Sequence, residues 1–436
     1  MASGVAFVKV CVVGLWHLGT VTAACLASRG HEVVGYDANA ETTSRLQKGE
    51  PPISEPGLPQ LVSDAITAGK LRFTSDAAGA LRDAEVVWVA FDTPVDDEDR
   101  ADVDFVIRSV EQLLPLMRRD TLVLISSQMP VGSTRTLEHA AATASRPDLS
   151  FAYSPENLRL GKAIEVFTNP DRVVVGVREQ SDRARIEQLL APFTIRIEWM
   201  SVESAEMTKH ALNAFLATSV AFINEIATIC EHVGADAKEV ERGLKSEKRI
   251  GPGAYLGPGG AFAGGTLARD VVFLSATGRK AGVPTNLIDG IKSSNDAHRG
   301  WAKRRLQELL GELRGQRIAV WGLTYKPGTD TLRRSSAVEL CRALAQAGAK
   351  VIAHDPAVKA LPPDLAGICL VPDPLAAVKD AAALVVMTEW PEYRQIDGTA
   401  IAEAMSRRLV LDANRFLAKQ LGDNPQITYA TVGKAV

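Results

Sequence analysis

Lys209 and Asn213 lie four residues apart in a segment whose apolar pattern is helical, so their side chains share one face. An ammonium and an amide held together can bind an oxygen that gains negative charge as a hydride leaves its carbon. A partly exposed lysine beside an interhelical asparagine would read the same way. Near the start of the chain, Gly14-Leu15-Trp16-His17-Leu18-Gly19 falls at a strand-to-helix turn. A dinucleotide fingerprint uses three glycines there: one for the turn, one for close approach of the pyrophosphate, one for helix packing. The first and third are present, and Trp16 takes the middle position. Asp37 follows at the end of the next strand. A carboxylate there accepts from an adenosine ribose and repels a 2′-phosphate, which points to NAD rather than NADP. The alternative is a βαβ unit that binds nothing. Trp16 must point away from the pyrophosphate, wall the pocket or shift the cofactor. His17 beside it reads as a surface or packing residue, not a catalyst.

These groups need a frame. A β-branched run at 8–13 ended by Gly14, a helix from about Leu18 to Ser28 stopped by Gly30, and a strand Glu32–Tyr36 ended by Asp37 make a βαβ unit. That implies a parallel sheet with right-handed crossovers. Further strands are expected at 85–91, 121–126 and 172–177, closing a first domain near residue 200. From about Val202 to Val233 a long helix is apolar on most faces, too buried for a simple surface helix. It reads as a central strut that also packs on a second subunit. Near Gly315 a second βαβ unit begins: a strand at 316–321 ended by Gly322, a helix at 337–348, and a strand at 350–353 ended by His354-Asp355. The expected fold class is α/β: two Rossmann-like doubly wound domains joined by a long central helix.

Several further segments occur in order. They are Asp92-Thr93-Pro94 with Ala101-Asp102-Val103-Asp104, then Pro130-Val131-Gly132-Ser133-Thr134. Ser154-Pro155-Glu156-Asn157-Leu158-Arg159 comes next, with Asn169-Pro170-Asp171-Arg172. Then come Ala205-Glu206-Met207-Thr208-Lys209 with Asn213 and Asn224-Glu225, and the glycine-rich loop from Gly259 to Asp270. Gly322-Leu323-Thr324-Tyr325-Lys326 with Thr329-Asp330 and Arg333, and Thr388-Glu389-Trp390, complete the set. Together, over essentially the whole chain, they resemble the UDP-glucose/GDP-mannose dehydrogenase family.

The resemblance implies NAD held by Gly14, Trp16, His17, Leu18, Gly19, Asp37, Thr93 and Pro94. It implies Lys209, Asn213 and Asp270 at a first hydride transfer, with Asp270 taking the alcohol proton through water. Glu156 would help manage a later hydrolytic step. Asn157, Leu158, Arg159, Tyr255, Leu256 and Gly259 would contact a nucleotide sugar. Arg249 would reach that sugar from a partner subunit. Lys326 and Arg333 would supply positive charge near its diphosphate. The implied domains are 1–200 for NAD, 201–300 for dimerisation and 301–436 for the nucleotide sugar, in a homodimer.

Four positions depart from the family pattern: Thr266 replaces the catalytic cysteine, Arg269 a lysine, Gln128 a threonine and Leu160 a second glutamate. In such enzymes the cysteine, threonine and glutamate hold the aldehyde and hydrolyse a thioester. A cysteine of pKa ~8.5 can be driven to thiolate, whereas a threonine hydroxyl needs an adjacent base to attack a carbonyl. No such base is evident beside Thr266, although Asp270 could approach in space. The expected activity is a single NAD-dependent oxidation of a CH–OH group on a nucleotide sugar, UDP-glucose by default. Two alternatives stay open: full oxidation to a uronic acid through an aldehyde hydrate, and a non-catalytic nucleotide-sugar-binding paralogue.

The bulk composition sets broad limits. A chain of 436 residues is long for one core, so two or three domains are expected. A hydrophobic content of 46% and a net charge of -3 give no reason to expect nucleic acid or a membrane surface as a partner. Five cysteines (Cys11, Cys25, Cys230, Cys341, Cys369) show no metal-ligand spacing and are expected as buried free thiols, which suits a reducing cytoplasm. The apolar N-terminal segment is too short to span a bilayer, and neither a signal peptide nor a transmembrane helix is expected.

Overall fold

The computed structural model describes residues 7–94, 96, 101–263 and 265–436; the first six residues of the N-terminal segment, and Gly264 of the glycine-rich loop, lie outside them. The chain divides into two compact units, residues 1–211 and 212–436.

Short, wholly apolar runs build the first unit. Its strands are β1 Lys9–Val13, β2 Glu32–Tyr36, β3 Leu71–Thr74, β4 Val86–Val89, β5 Leu122–Ile125, β6 Ser150–Tyr153, β7 Val173–Val177 and β8 Ile197–Met200. They pair in the order β3-β2-β1-β4-β5-β6-β7-β8. Residues of β4 and β5 are buried on both faces, as a sheet covered by helices on each side requires. Trp88, Leu122 and Leu124 enter one core, and Val87, Val89, Val123 and Ile125 the other. The expected all-parallel sheet needs one correction: β6 and β7 pair antiparallel, because the chain turns back through the loop at 154–172 without a full crossover.

The second unit repeats the pattern. Its strands are β9 Arg317–Trp321, β10 Lys350–His354, β11 Cys369–Leu370, β12 Ala383–Val386, β13 Leu409–Asp412 and β14 Thr428–Ala430. Their order, β11-β10-β9-β12-β13-β14, matches that of the first six strands of the other sheet. Gly14 and Gly322 hold equivalent turns, with φ of +88° and +87°. An added Cβ would strike Phe91 at the first and Thr388 at the second, so both turns need glycine. Cys369 corrects the expectation of five buried thiols: it is exposed on the edge strand β11, while the other four are buried.

The central helix spans Val202–Val233, the range read from the sequence, and Gly234 follows it at φ +78°. In the first unit Val202 and Ala205 join the core beneath the sheet. In the second, Ala214, Ala217 and Ala221 pack with Val271 and Ile291. By length and composition the helix could cross a membrane, but it is built into protein cores, with 44% of its most apolar window buried.

Candidate active site

The first turn presents backbone donors at the start of the helix His17–Ser28. Asp37 braces it, accepting from Leu15 N at 2.9 Å through Oδ2 and from Asn39 N at 2.9 Å through Oδ1. Gly19 lies so close to the turn that a Cβ would fall 1.8 Å from Gly14 O. Trp16 is 51% exposed and has ordinary negative φ, so the missing middle glycine imposes no backbone strain. Leu18 is buried beneath the turn. Thr93 is buried and donates its hydroxyl to Gln128 O at 2.6 Å, tying the ends of β4 and β5 together; Pro94 O accepts from Asp102 N.

Lys209 is buried at 6% exposure and is held by the loop that follows β6. Its ammonium donates to Glu156 O at 2.6 Å and lies 3.5 Å from Glu156 Oε1, while Glu156 Oε2 accepts from Leu158 N. Asn157 and Arg159 are exposed, and Leu158 packs on the core. One turn before Lys209, Glu206 is fully buried and accepts from Gly132 N, Thr134 N and the Thr134 hydroxyl. The Pro130–Thr134 turn is thereby fixed to the central helix. This is a carboxylate at the N-terminus of the helix Ser133–Thr143, where the helix field favours it.

In the second unit, Asn213 donates through Nδ2 to Asp270 Oδ2, and Asp270 is 0% exposed. The glycine-rich loop leading to Asp270 is clamped by side chains. Asn224 Oδ1 accepts from Gly259 N at 3.0 Å, and Asn414 Oδ1 accepts from Gly260 N at 2.7 Å. Asn295 makes a two-way bond with Phe262, and His298 Nε2 lies 2.8 Å from Gly259 O. Thr266 is the exposed first residue of the helix Thr266–Ala281. Asn295, His298 and Asn414 escaped the sequence reading. The signal for the first two was an amide and an imidazole three apart on the otherwise amphipathic helix Asn286–Arg299.

The remaining candidates occupy loops. Lys326 and Arg333 sit on the excursion after β9, closed by Tyr325 N donating to Thr331 O. Tyr255 is exposed and Leu256 buried. Arg249 is exposed and pairs only locally with Glu247 among the bonds described.

The NAD binding domain model of the UDP-glucose/GDP-mannose dehydrogenase family matches residues 8–194, its central domain 203–297 and its UDP binding domain 319–419. The chain is also 36% identical over 430 residues to UDP-glucose 6-dehydrogenase of Pseudomonas aeruginosa, covering 94% of each. The chain belongs to the UDP-glucose/GDP-mannose dehydrogenase family. Another relative in this family, UDP-glucose 6-dehydrogenase of Rhizobium meliloti, is 34% identical across 98% of this chain and 99% of its own. A solved UDP-glucose dehydrogenase from Pyrobaculum islandicum superposes with a TM-score of 0.88 at 30% identity, covering 100% of both chains.

The chain is thus a nucleotide-sugar dehydrogenase of this family with NAD as its cofactor. The first turn fits that cofactor: a glycine whose Cβ would be blocked, a helix N-terminus for the pyrophosphate, and an acid at the end of β2.

His298 shows how the loop clamp responds to pH. Burial holds its pKa below the ordinary 6.5, outweighing the upward pull of its bond to Gly259 O. His31 and His354 are lowered the same way. The unfolded chain takes up these protons first, so their contribution is full above about pH 6.5 and is lost as pH falls towards the folded-state values. Thermal unfolding should show a midpoint that drops on acidification from about pH 7 to 5.5, and a smaller drop in His298→Gln.

Proposed function

We propose that the protein oxidises a CH–OH group of a UDP-sugar, UDP-glucose-like, by a single two-electron step. The observation carrying this reading is a divided pattern. Lys209, Asn213 and Asp270 are each buried and hydrogen-bonded, whereas Thr266, which by the resemblance takes the place of the catalytic cysteine, is exposed at a helix start. When bound, NAD accepts the hydride. Lys209 and Asn213 stabilise the negative oxygen left on the sugar. Asp270 receives the alcohol proton through water, its carboxylate oriented by the Asn213 amide. Lys326 and Arg333 meet the diphosphate, and Tyr255, Leu256, Gly259, Asn157, Leu158 and Arg159 the rest of the substrate. Residues 1–200, 201–300 and 301–436 divide the work into cofactor, dimer and nucleotide domains.

Stoichiometry tests this. With NAD and UDP-glucose, or an N-acetylhexosamine analogue, one NADH per sugar and an aldehyde- or ketone-level product mass are expected. Two NADH and an acid would sink the single-step reading. They would favour the second one, in which Glu156, 3.5 Å from Lys209, activates water on an aldehyde hydrate. In Thr266→Cys, intact-mass spectrometry should find a covalent aldehyde-level adduct absent from the parent protein, without restored acid formation, because Gln128 and Leu160 remain.

A homodimer is part of this reading. Phe215, Phe222 and Ile229 recur every seventh residue on the central helix and are 71%, 46% and 56% exposed. Such a stripe of large apolar side chains calls for a covering surface, and Arg249 would reach a second copy's substrate. Phe222→Asp should therefore sediment as a monomer at micromolar concentration while the parent sediments as a dimer.

A further inference from the structure

The resemblance counts His17 among the residues that hold NAD, and the proposed chemistry does not use Glu55. Yet Glu55 is 3% exposed and holds three donors from two distant segments. Its Oε2 accepts from Gly161 N at 2.8 Å, its Oε1 accepts from Ala163 N at 2.9 Å, and His17 Nε2 lies 3.0 Å from Oε2. Gly161 and Ala163 close the loop whose Glu156 holds Lys209. His17 is the first residue of the helix that opens directly after the Gly14–Trp16 turn. Glu55 itself is anchored by Gly57, at φ +80°, and by the helix Leu58–Thr67 that starts there.

Burial alone would push this carboxyl up. The bonds from Gly161, Ala163 and His17 outweigh that, and the net direction is down, so the group is a carboxylate at neutral pH. A buried carboxylate is tolerated only while its donors stay in place. Its three partners therefore move together: displacement of His17 leaves one charged lone pair unmatched beside the two loop amides.

We infer that Glu55 is a positioning residue that, through His17, makes the order of the Glu156-bearing loop depend on occupancy of the dinucleotide turn. The inference rests on the proposed cofactor and substrate sites. A bridge that merely staples the fold would hold the loop equally with and without a dinucleotide.

Hydrogen–deuterium exchange on the full-length protein, with NADH as the only added ligand, tests this. In the parent protein NADH should slow exchange at 14–20 and also at 158–164. In His17→Phe, which cannot donate to Glu55, NADH raised until 14–20 is protected as in the parent should leave 158–164 unchanged. In His17→Gln, whose amide supplies an N–H, both effects should return. Without ligand, His17→Phe should speed exchange at Gly161 and Ala163 about tenfold, the loss of one charge-assisted bond. Glu55→Gln should exceed that, and if it fails to fold the His17 pair still decides. NADH protection of 158–164 that survives in His17→Phe, or ligand-free exchange there equal to the parent's, overturns the inference. NADH that protects neither segment in the parent would instead refute the cofactor site, and the ligand-free comparison would still judge the link.

Discussion

Asp270→Asn should lower turnover about a thousandfold, within the range of 10²–10⁴ typical for a lost general base. Asp270 is 0% exposed and receives the Asn213 amide. The asparagine is nearly isosteric and can still present an oxygen to Asn213, so the fold and the loop clamp persist. What it cannot do is accept a proton. The loss should therefore fall on kcat, with the KM for the sugar changed less than about threefold and NADH binding unaltered. A rise in KM with kcat intact would show instead that Asp270 positions the sugar, and the assignment of proton acceptor would be withdrawn.

Lys209→Met comes next in expected size. Methionine keeps the apolar stem and removes the charge that stabilises the alkoxide, a loss of about 10²–10³ in kcat. It also leaves Glu156 without its cation. That carbonyl and carboxylate now meet the ammonium at 2.6 and 3.5 Å, and the thermal midpoint should fall for about 1–3 kcal/mol of lost stability. Adding Glu156→Gln should recover part of the stability, because it removes the unmatched charge, yet recover none of the rate. Calorimetry and steady-state kinetics on the pair separate the two roles. Full activity in Lys209→Met would falsify the proposed oxyanion site.

The frame was largely legible and the site was legible in part. Strong local signals marked the first βαβ unit and the second, because a β-branched run, a glycine turn and a terminal acid lie close together in each. The central helix was found over its full span because its apolar helical pattern runs unbroken to Gly234. The strands β3, β6 and β8, and β11 to β14 of the second unit, were missed. Each has four residues or fewer, and Leu71–Thr74 alternates buried and part-exposed positions on an edge, too short a pattern to separate from a loop. The loop clamps were out of reach because their partners are far apart in sequence: Gly260 meets Asn414 at a separation of 154 residues, and Glu55 meets Gly161 at 106. No spacing rule spans such distances; only the folded chain brings those groups together.

The two matching sheets end on matching acids, and the acids differ in one respect. Asp37 takes two backbone donors and stays partly open. Asp355 is 4% exposed and accepts from Leu323 N, Thr324 N, the Thr324 hydroxyl, the Trp390 indole and Ala357 N. A carboxylate has about four lone-pair sites. Each oxygen of Asp37 thus retains one acceptor site, whereas in Asp355 four donors converge on Oδ2 and Oδ1 accepts only from Ala357 N. Two copies of one backbone turn thereby carry acids of different remaining hydrogen-bonding capacity without any change in strand order. The distinction comes from the protein's own donors, with an indole and a threonine hydroxyl crowding one oxygen of the second acid.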